Sequence, residues 1–306
     1  MSVSVVIPVK DVRPLLVRAV RSALDQGELV SEIIVIDDQS SDGSAEAVAG
    51  MDSRVKILKG KGTGPADARN MGVKVAASEI VAFMDADDYW TAGGLLPRYE
   101  LFKKHPRATL VFSDAVLLDR MGRELGRMHV NKPVVSGSIY SALLLDNFIP
   151  TSSVLVPAKV FERTGGFQTD FQPAEDYRLW LRLAALGPCM LDPNPRIGRC
   201  LRDAAFGADR LAGINAQTAV LEDSLAAERR PYLAQWPPLR RRLLILHHVR
   251  AQLLARQGRK QEALAAYDAA RKWGGLGLRI GALAMITKTA FPLAKRLTSL
   301  RRLGLT

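Results

Sequence analysis

Along the front of the chain, apolar residues come in short unbroken runs separated by amphipathic stretches. Val3-Ser4-Val5-Val6-Ile7-Pro8-Val9 is one such run and predicts a strand; behind it, Leu15, Leu16, Ala19, Val20, Ala23 and Leu24 fall on one face of a helix. Ile33-Ile34-Val35-Ile36 predicts a second strand ending at Asp37-Asp38, and the turn-rich Gln39-Ser40-Ser41-Asp42-Gly43-Ser44 after it can cap a short helix. Val55 to Leu58 predicts a third strand, Pro65 to Ala77 a helix with proline in its first turn, and Ile80 to Met84 a fourth strand that runs into Asp85-Ala86-Asp87-Asp88. Strands that alternate with helices and lack polar alternation describe an α/β fold whose parallel sheet is covered on both faces. Such sheets bind ligands at the carboxyl ends of their strands.

The pattern then loosens. Ser153 to Val156 predicts a strand, Ala158 to Thr164 a short helix, Gly165-Gly166-Phe167 a break, and Pro173-Ala174-Glu175-Asp176 the opening of a helix with Leu179, Trp180, Leu183 and Leu186 on its apolar face. Arg240 to Lys272 predicts two helices joined near Gln257-Gly258-Arg259. There the spacing of Gly258, Ala263, Tyr267 and Ala270 resembles a single tetratricopeptide-type hairpin, too little for a solenoid. The chain therefore divides into residues 1–200, a helical region at 201–272 and a tail at 273–306.

Acidic residues gather where the strands end. Asp37-Asp38 closes one strand and Asp85-Ala86-Asp87-Asp88 follows another, so a crevice at that edge is expected to hold up to five carboxylates. Without a cation they would repel, and oxygen-only ligands favour Mn²⁺ or Mg²⁺. The competing reading makes them turn formers and caps, a role that suits Asp42. Glu175 and Asp176 lie in the first turn of their helix, where the positive end of the dipole stabilises ionised carboxylates and so suits a proton acceptor. A carboxylate that only stabilises its helix is the alternative there.

Composition narrows the class. With 306 residues, 48% hydrophobic and 24% charged, the chain is neither a disulfide-stapled miniprotein nor a disordered linker. Residues 1–195 carry 22 Lys/Arg against 24 Asp/Glu and the remainder 21 against 7, so the net charge of +12 belongs wholly to the last third. Cys189 and Cys200 stand without CxxC or Cys/His spacing, which points to a reducing compartment, and a strand pattern from the first residues leaves no room for a signal peptide. Residues 273–306 hold six Lys/Arg and no acid. Arg279 and Lys288 interrupt the apolar stretch Ile280 to Ile286, so a spanning helix is not expected. The tail is expected to lie on an anionic membrane surface or to dock on the protein. The expected location is cytoplasmic, peripheral on the inner face of the cell membrane.

Six pieces, taken in order, resemble a family 2 glycosyltransferase of the GT-A fold, of the bacterial surface-polysaccharide type. They are Val3 to Val9, Glu32 to Ser44, Ala68-Arg69-Asn70-Met71-Gly72, Asp85-Ala86-Asp87-Asp88, Gly165-Gly166-Phe167, and Glu175-Asp176-Tyr177 with Leu179-Trp180-Leu181-Arg182. The resemblance implies a Rossmann-like, mostly parallel sheet for the catalytic region 1–200. It also implies a nucleotide-sugar donor, taken as a UDP-sugar, a divalent metal, and inverting transfer to a hydroxyl of a glycan or lipid-linked acceptor. Carried over, Asp38 binds the donor's base with Pro8, Val9 and Asp37 beside it, and Asp85 and Asp87 hold the metal with Asp88 as a further ligand. Asp176 is the catalytic base with Glu175 its rival, and Arg69 pairs with a donor phosphate or serves its own helix.

Two departures stand out. Lys10-Asp11 replaces the aromatic residue and Asn that family members often carry after the first strand, and Gly198 to Asp203 offers arginines but no histidine. The four histidines, His105, His129, His247 and His248, are scattered and are expected at surface or helix positions. A catalytically silent scaffold and a basic protein binding nucleic acid or another anionic surface are the alternatives. The intact acidic sites oppose the first, and the lack of basic-aromatic interleaving opposes a nucleic-acid partner.

Overall fold

Every residue of the first strand, β1 (Val3–Val9), is buried, Ser4 included, which makes it the spine of the sheet. The computed structural model describes residues 2–119, 121–130, 134, 136–201, 208–227 and 231–274, in two compact units, Met1–Asp203 and Ala204–Thr306. Residues 275–306, and with them most of the expected membrane-binding tail, lie outside the described residues, as do Arg202 and Asp203.

In the first unit β1 is followed by α1 (Arg13–Leu24), β2 (Val30–Asp37), α2 (Ser44–Val48), β3 (Val55–Lys59), α3 (Pro65–Val75) and β4 (Ile80–Phe83). Then come β5 (Tyr89–Trp90), α4 (Leu95–Lys104), β6 (Leu110–Leu118), β7 (Glu124–Arg127), α5 (Tyr140–Leu143), β8 (Leu155–Pro157), α6 (Ala158–Thr164), α7 (Glu175–Leu186) and β9 (Cys189–Cys200). The strands form one sheet in the order β3-β2-β1-β4-β8-β6-β9-β5, with β7 paired to β6. The strands β3, β2, β1 and β4 run parallel, as the unbroken apolar runs predict.

Beyond β4 the sheet is mixed. β8 runs antiparallel to both β4 and β6, whereas β6 and β9 are parallel. β8 is reached from a 3₁₀ turn, Thr151–Ser153, and not from a crossover helix, so nothing obliges it to run with its neighbours. The expected helix at Pro173 begins two residues later, at Glu175.

Both faces of the sheet are covered. Leu16, Ala19, Val20 and Ala23 of α1 pack with Val3, Val5 and Ile7, while Ile34 and Ile36 point the other way and meet Ala68 of α3. α3 lies directly on β1: a methyl group at Gly72 would sit 2.3 Å from Val6 Cγ1. Gly72→Ala should therefore destabilise the protein by about 1–3 kcal/mol through overpacking. The expected result is a lower urea midpoint with an unchanged slope; a wild-type midpoint would show that α3 is not seated this closely.

The second unit contains α8 (Ala208–Ala227), α9 (Pro237–Arg256) and α10 (Lys260–Trp273). α9 and α10 form the hairpin expected from the sequence, turning at Gly258 with φ +82°, and bury Ala263, Ala266 and Tyr267 against Ala251, Leu254 and Ala255. His247 and His248 are on a helix, as expected, but in its buried face: His247 meets Glu222 at 3.1 Å and the His248 ring lies 5.8 Å from that of Tyr267. Among the described residues, no helix is long and apolar enough to cross a membrane.

Candidate active site

The carboxyl ends of β1, β2 and β3 meet in one loop cluster. Val9 pairs with Asp37, the Asp38 N–H donates to the Val9 carbonyl at 2.9 Å, and the Gly60 N–H donates to the Asp37 carbonyl at 2.8 Å. Pro8 and Val9 thus stand beside the acidic pair. Asp37 accepts the Ser40 N–H at 3.0 Å. Asp38 is buried and accepts the N–H groups of Gly62 at 2.7 Å and Gly64 at 2.8 Å, one on each oxygen. Gly62 has φ +77°, and a side chain there would strike that of Gln39, so glycine is required for the loop to close over Asp38. Asp42 accepts the Arg13 N–H at 2.9 Å, tying the loop to the start of α1. Lys10 is exposed where β1 ends.

The second acidic group follows β4, and its members point in different directions. Asp88 is buried; Ser152 Oγ donates to its Oδ2 at 2.5 Å and the Cys200 N–H donates to its Oδ1 at 3.0 Å. Burial first, then the charges of Asp85 and Asp87, push its carboxyl up to about 7. Arg18 of α1 donates to the Asp87 carbonyl at 2.7 Å and to Cys200 Sγ at 3.1 Å, its guanidinium lying 4.8 Å from the Tyr89 ring. Asp85 is a third exposed at its side chain and takes a 2.6 Å bond from Arg69 Nη2.

Arg69 is the hub. Its other terminal nitrogen donates to Glu175 Oε1 at 3.0 Å, and its guanidinium stacks 5.2 Å from the Phe167 ring. Burial alone would lower its pKa, yet Asp85 and Glu175 raise it, so it stays charged. The neighbouring Asn70 exchanges two bonds with the Phe167 backbone, donating to its carbonyl at 2.8 Å and accepting its N–H at 2.9 Å. The Ala68-Arg69-Asn70 and Gly165-Gly166-Phe167 pieces therefore form one clamp, and it fixes the start of α7 against the acidic loop.

Asp176 lies beside that clamp, partly exposed in the first turn of α7. Thr151 Oγ1 donates to its Oδ2 at 3.0 Å; Asn147 Nδ2 donates to its Oδ1 at 3.4 Å, and the Tyr177 N–H to the same oxygen at 2.5 Å. Desolvation first, then the Glu175 charge, raise its carboxyl to about 6, while Arg69 and the Thr151 bond hold it down.

The structure corrects the expectation of five carboxylates in one crevice. Among the described residues, no three His, Cys, Asp or Glu side chains converge closely enough to enclose a cation. Asp37, Asp38 and Asp88 point into protein N–H and O–H groups, and Asp85 is shared with Arg69. The acidic loop's other two carboxylates are Asp85, a third exposed at its side chain, and Asp87, which is buried. Mg²⁺ and Mn²⁺ suit such a site, since they take one or two carboxylates and complete their shells with water and substrate phosphate. The sequence reading missed Thr151, Ser152, Asn147 and Arg18. Its one available signal was three hydroxyl residues in a row ahead of a buried strand.

Residues 4–142 match the family model described as Glycosyl transferase family 2. The chain is 30% identical over 186 residues to the UDP-Glc:alpha-D-GlcNAc-diphosphoundecaprenol beta-1,3-glucosyltransferase WfgD of Escherichia coli, covering 59% of this chain and 69% of that protein. It is 26% identical over 246 residues to an uncharacterized glycosyltransferase of Rickettsia conorii, covering 76% of this chain; it spans 41% of that relative's length. In three dimensions it resembles the crystal structure of S. aureus TarS 1-349 in complex with UDP-GlcNAc, with a TM-score of 0.70 at 14% identity over 97% of this chain and 90% of the other. That likeness establishes the fold, a GT-A-like mixed sheet followed by helices.

Proposed function

Since the chain belongs to glycosyl transferase family 2, we propose that it is an inverting, metal-dependent enzyme that moves a sugar from a UDP-sugar to a hydroxyl of a lipid-linked or polysaccharide acceptor in cell-surface glycan synthesis. The observation that carries this reading is the Arg69 bridge. One guanidinium ties Asp85, in the loop that faces the donor, to Glu175, next to Asp176, although Arg69 and Glu175 are 106 positions apart. In this reading a diphosphate-facing carboxylate and a proton acceptor are thereby held close to one another, so that leaving group and nucleophile can meet at one sugar carbon.

In this reading Pro8, Val9 and the loop that Asp38 holds form the floor under the nucleotide base. Each Asp38 oxygen takes one backbone N–H and keeps a second lone pair for a base N–H. Asp85 and Asp87 hold the divalent ion, Mn²⁺ or Mg²⁺, which when bound neutralises the charge that builds on the departing diphosphate. Asp176 accepts the proton of the acceptor hydroxyl as that oxygen closes on C1 from the face opposite the leaving group. Glu175 is committed to Arg69 and so orients the base instead of replacing it. Two names agree with the chemistry: WfgD is a UDP-Glc enzyme acting on a diphosphoundecaprenol-linked sugar, and TarS was crystallised with UDP-GlcNAc.

The test is the stereochemistry and metal requirement of transfer. With UDP-glucose or UDP-GlcNAc, an α-GlcNAc-diphospholipid acceptor and MnCl₂, the product's anomeric coupling should be that of a β-glycoside. EDTA should abolish turnover and added Mn²⁺ restore it. An α-linked product contradicts inversion, and full activity in EDTA contradicts the role given to Asp85 and Asp87.

A further inference from the structure

We propose that the Thr151–Ser153 turn is a brace between the two halves of the site, with Thr151 a positioning residue for Asp176 and Ser152 a positioning residue for the Asp85–Asp88 loop. The proposal rests on Asp176 being the base.

Three consecutive hydroxyl side chains are buried here, Thr151 at 7% exposure and Ser152 and Ser153 at 0%. Burying a hydroxyl is unfavourable unless it is hydrogen-bonded, so its partner shows what it is there to hold. Ser153 holds only its own turn, donating to the Pro150 carbonyl at 2.8 Å. The other two reach outward. Thr151 Oγ1 donates to Asp176 Oδ2 at 3.0 Å. Ser152 Oγ accepts the Asp85 N–H at 3.0 Å and donates to Asp88 Oδ2 at 2.5 Å, fixing the acidic loop by backbone and side chain at once.

The turn that carries them is itself anchored. The Ser152 carbonyl accepts Trp90 Nε1 at 2.8 Å, and the Ser153 carbonyl accepts Arg98 Nη1 at 2.7 Å, with the Arg98 guanidinium 4.8 Å from the Trp90 ring. A rigid mount of this kind, built behind the reacting groups, is what holds two carboxylates within the sub-ångström tolerance of an in-line reaction. The Thr151 hydroxyl also does chemistry on the base: a donor to a carboxylate favours its ionised form. Also bearing on Asp176 are Glu175 on its own helix, which opposes ionisation, Arg69 on α3 and the Tyr177 N–H, which favour it, and the neutral Asn147 amide.

The test follows the Asp176 carboxyl directly by ¹³C NMR titration of aspartate-labelled full-length protein, its resonance assigned by its absence in Asp176→Asn. Thr151→Val, which keeps the shape and removes the donor, should move the midpoint upward by roughly one unit. Thr151→Ser should restore it, and Ser153→Ala should leave it in place. Equal midpoints in Thr151→Val and the wild type overturn the Thr151 assignment, whatever the enzyme's substrate. For Ser152, calorimetric titration with UDP and MnCl₂ is the readout. Ser152→Ala should weaken binding by about tenfold while leaving the Asp176 midpoint where it was. Unchanged UDP affinity overturns this half of the brace. A wild-type protein that does not bind UDP at all overturns the donor reading and the Ser152 assignment with it, but not the Thr151 result. Retained turnover in Asp176→Asn instead removes the base assignment that Thr151 is said to serve.

Discussion

Asp176→Asn is expected to lower kcat by about 10²–10⁴-fold while leaving UDP affinity at the wild-type level. The substitution keeps size and shape and removes only the capacity to take a proton. The wild-type pH profile carries the same signature. Because burial and the Glu175 charge raise Asp176 to about 6, its working, ionised form is lost as pH falls through about 6, well above the usual carboxylate range. The acid limb of kcat should therefore lie there. The stability consequence has the opposite sign to that of a salt-bridged aspartate. A carboxyl whose folded pKa is raised binds its proton more tightly in the native state, so this group favours folding at low pH, and that contribution is lost as pH rises from its ordinary value of 3.8 through about 6. Asp176→Asn should consequently melt no lower than the wild type at neutral pH. A mutant that loses UDP affinity but turns over normally contradicts the assignment.

Arg69→Met is expected to cost about 3–5 kcal/mol of stability, since it leaves the buried Glu175 carboxylate and its share of Asp85 without a partner. Arg69→Lys should recover only part of this, because a single ammonium cannot fork between two carboxylates and stack on Phe167. Activity should fall further than stability alone explains. Without the cation, Asp176 loses a charge that favours its ionised form, so the acid limb should move to higher pH. Urea unfolding measures the first effect and the pH dependence of kcat the second; a variant with wild-type midpoint and profile would mean that the bridge carries neither load.

The parallel half of the sheet was legible because buried parallel strands are written as plain apolar runs, as in Val3 to Val9 and Ile33 to Ile36. In the other half only β8 was, overlapping the run from Ser153 to Val156 that predicts a strand. β9 contains Pro193 and Pro195, residues that argue against a strand, and its register with β6 shifts around Asp114 to admit them. β6 in turn is broken by Ser113 and Asp114, both buried, which disguises a core strand as a polar turn. In the site, the residue types and their strand-end positions were readable, but the directions of their side chains were not. Asp88 reads as one of three adjacent ligands, yet the structure turns it onto Ser152 and Cys200, partners distant in sequence that only the folded sheet brings near. Arg69 reads equally as a phosphate contact or a helix residue, and its pairing with Glu175 depends on the same long-range closure.

The central claim is that the Asp85–Asp87 loop and the Asp176 helix enclose an activated sugar held through a divalent ion. Calorimetric titration of the full-length chain with a panel of nucleotide sugars, with and without MnCl₂, tests it most directly. The account predicts saturable binding of at least one UDP-sugar that requires the cation and is lost in Asp85→Asn. Absence of heat for every nucleotide sugar in the presence of Mn²⁺ and Mg²⁺, from a protein that melts cooperatively, would contradict it.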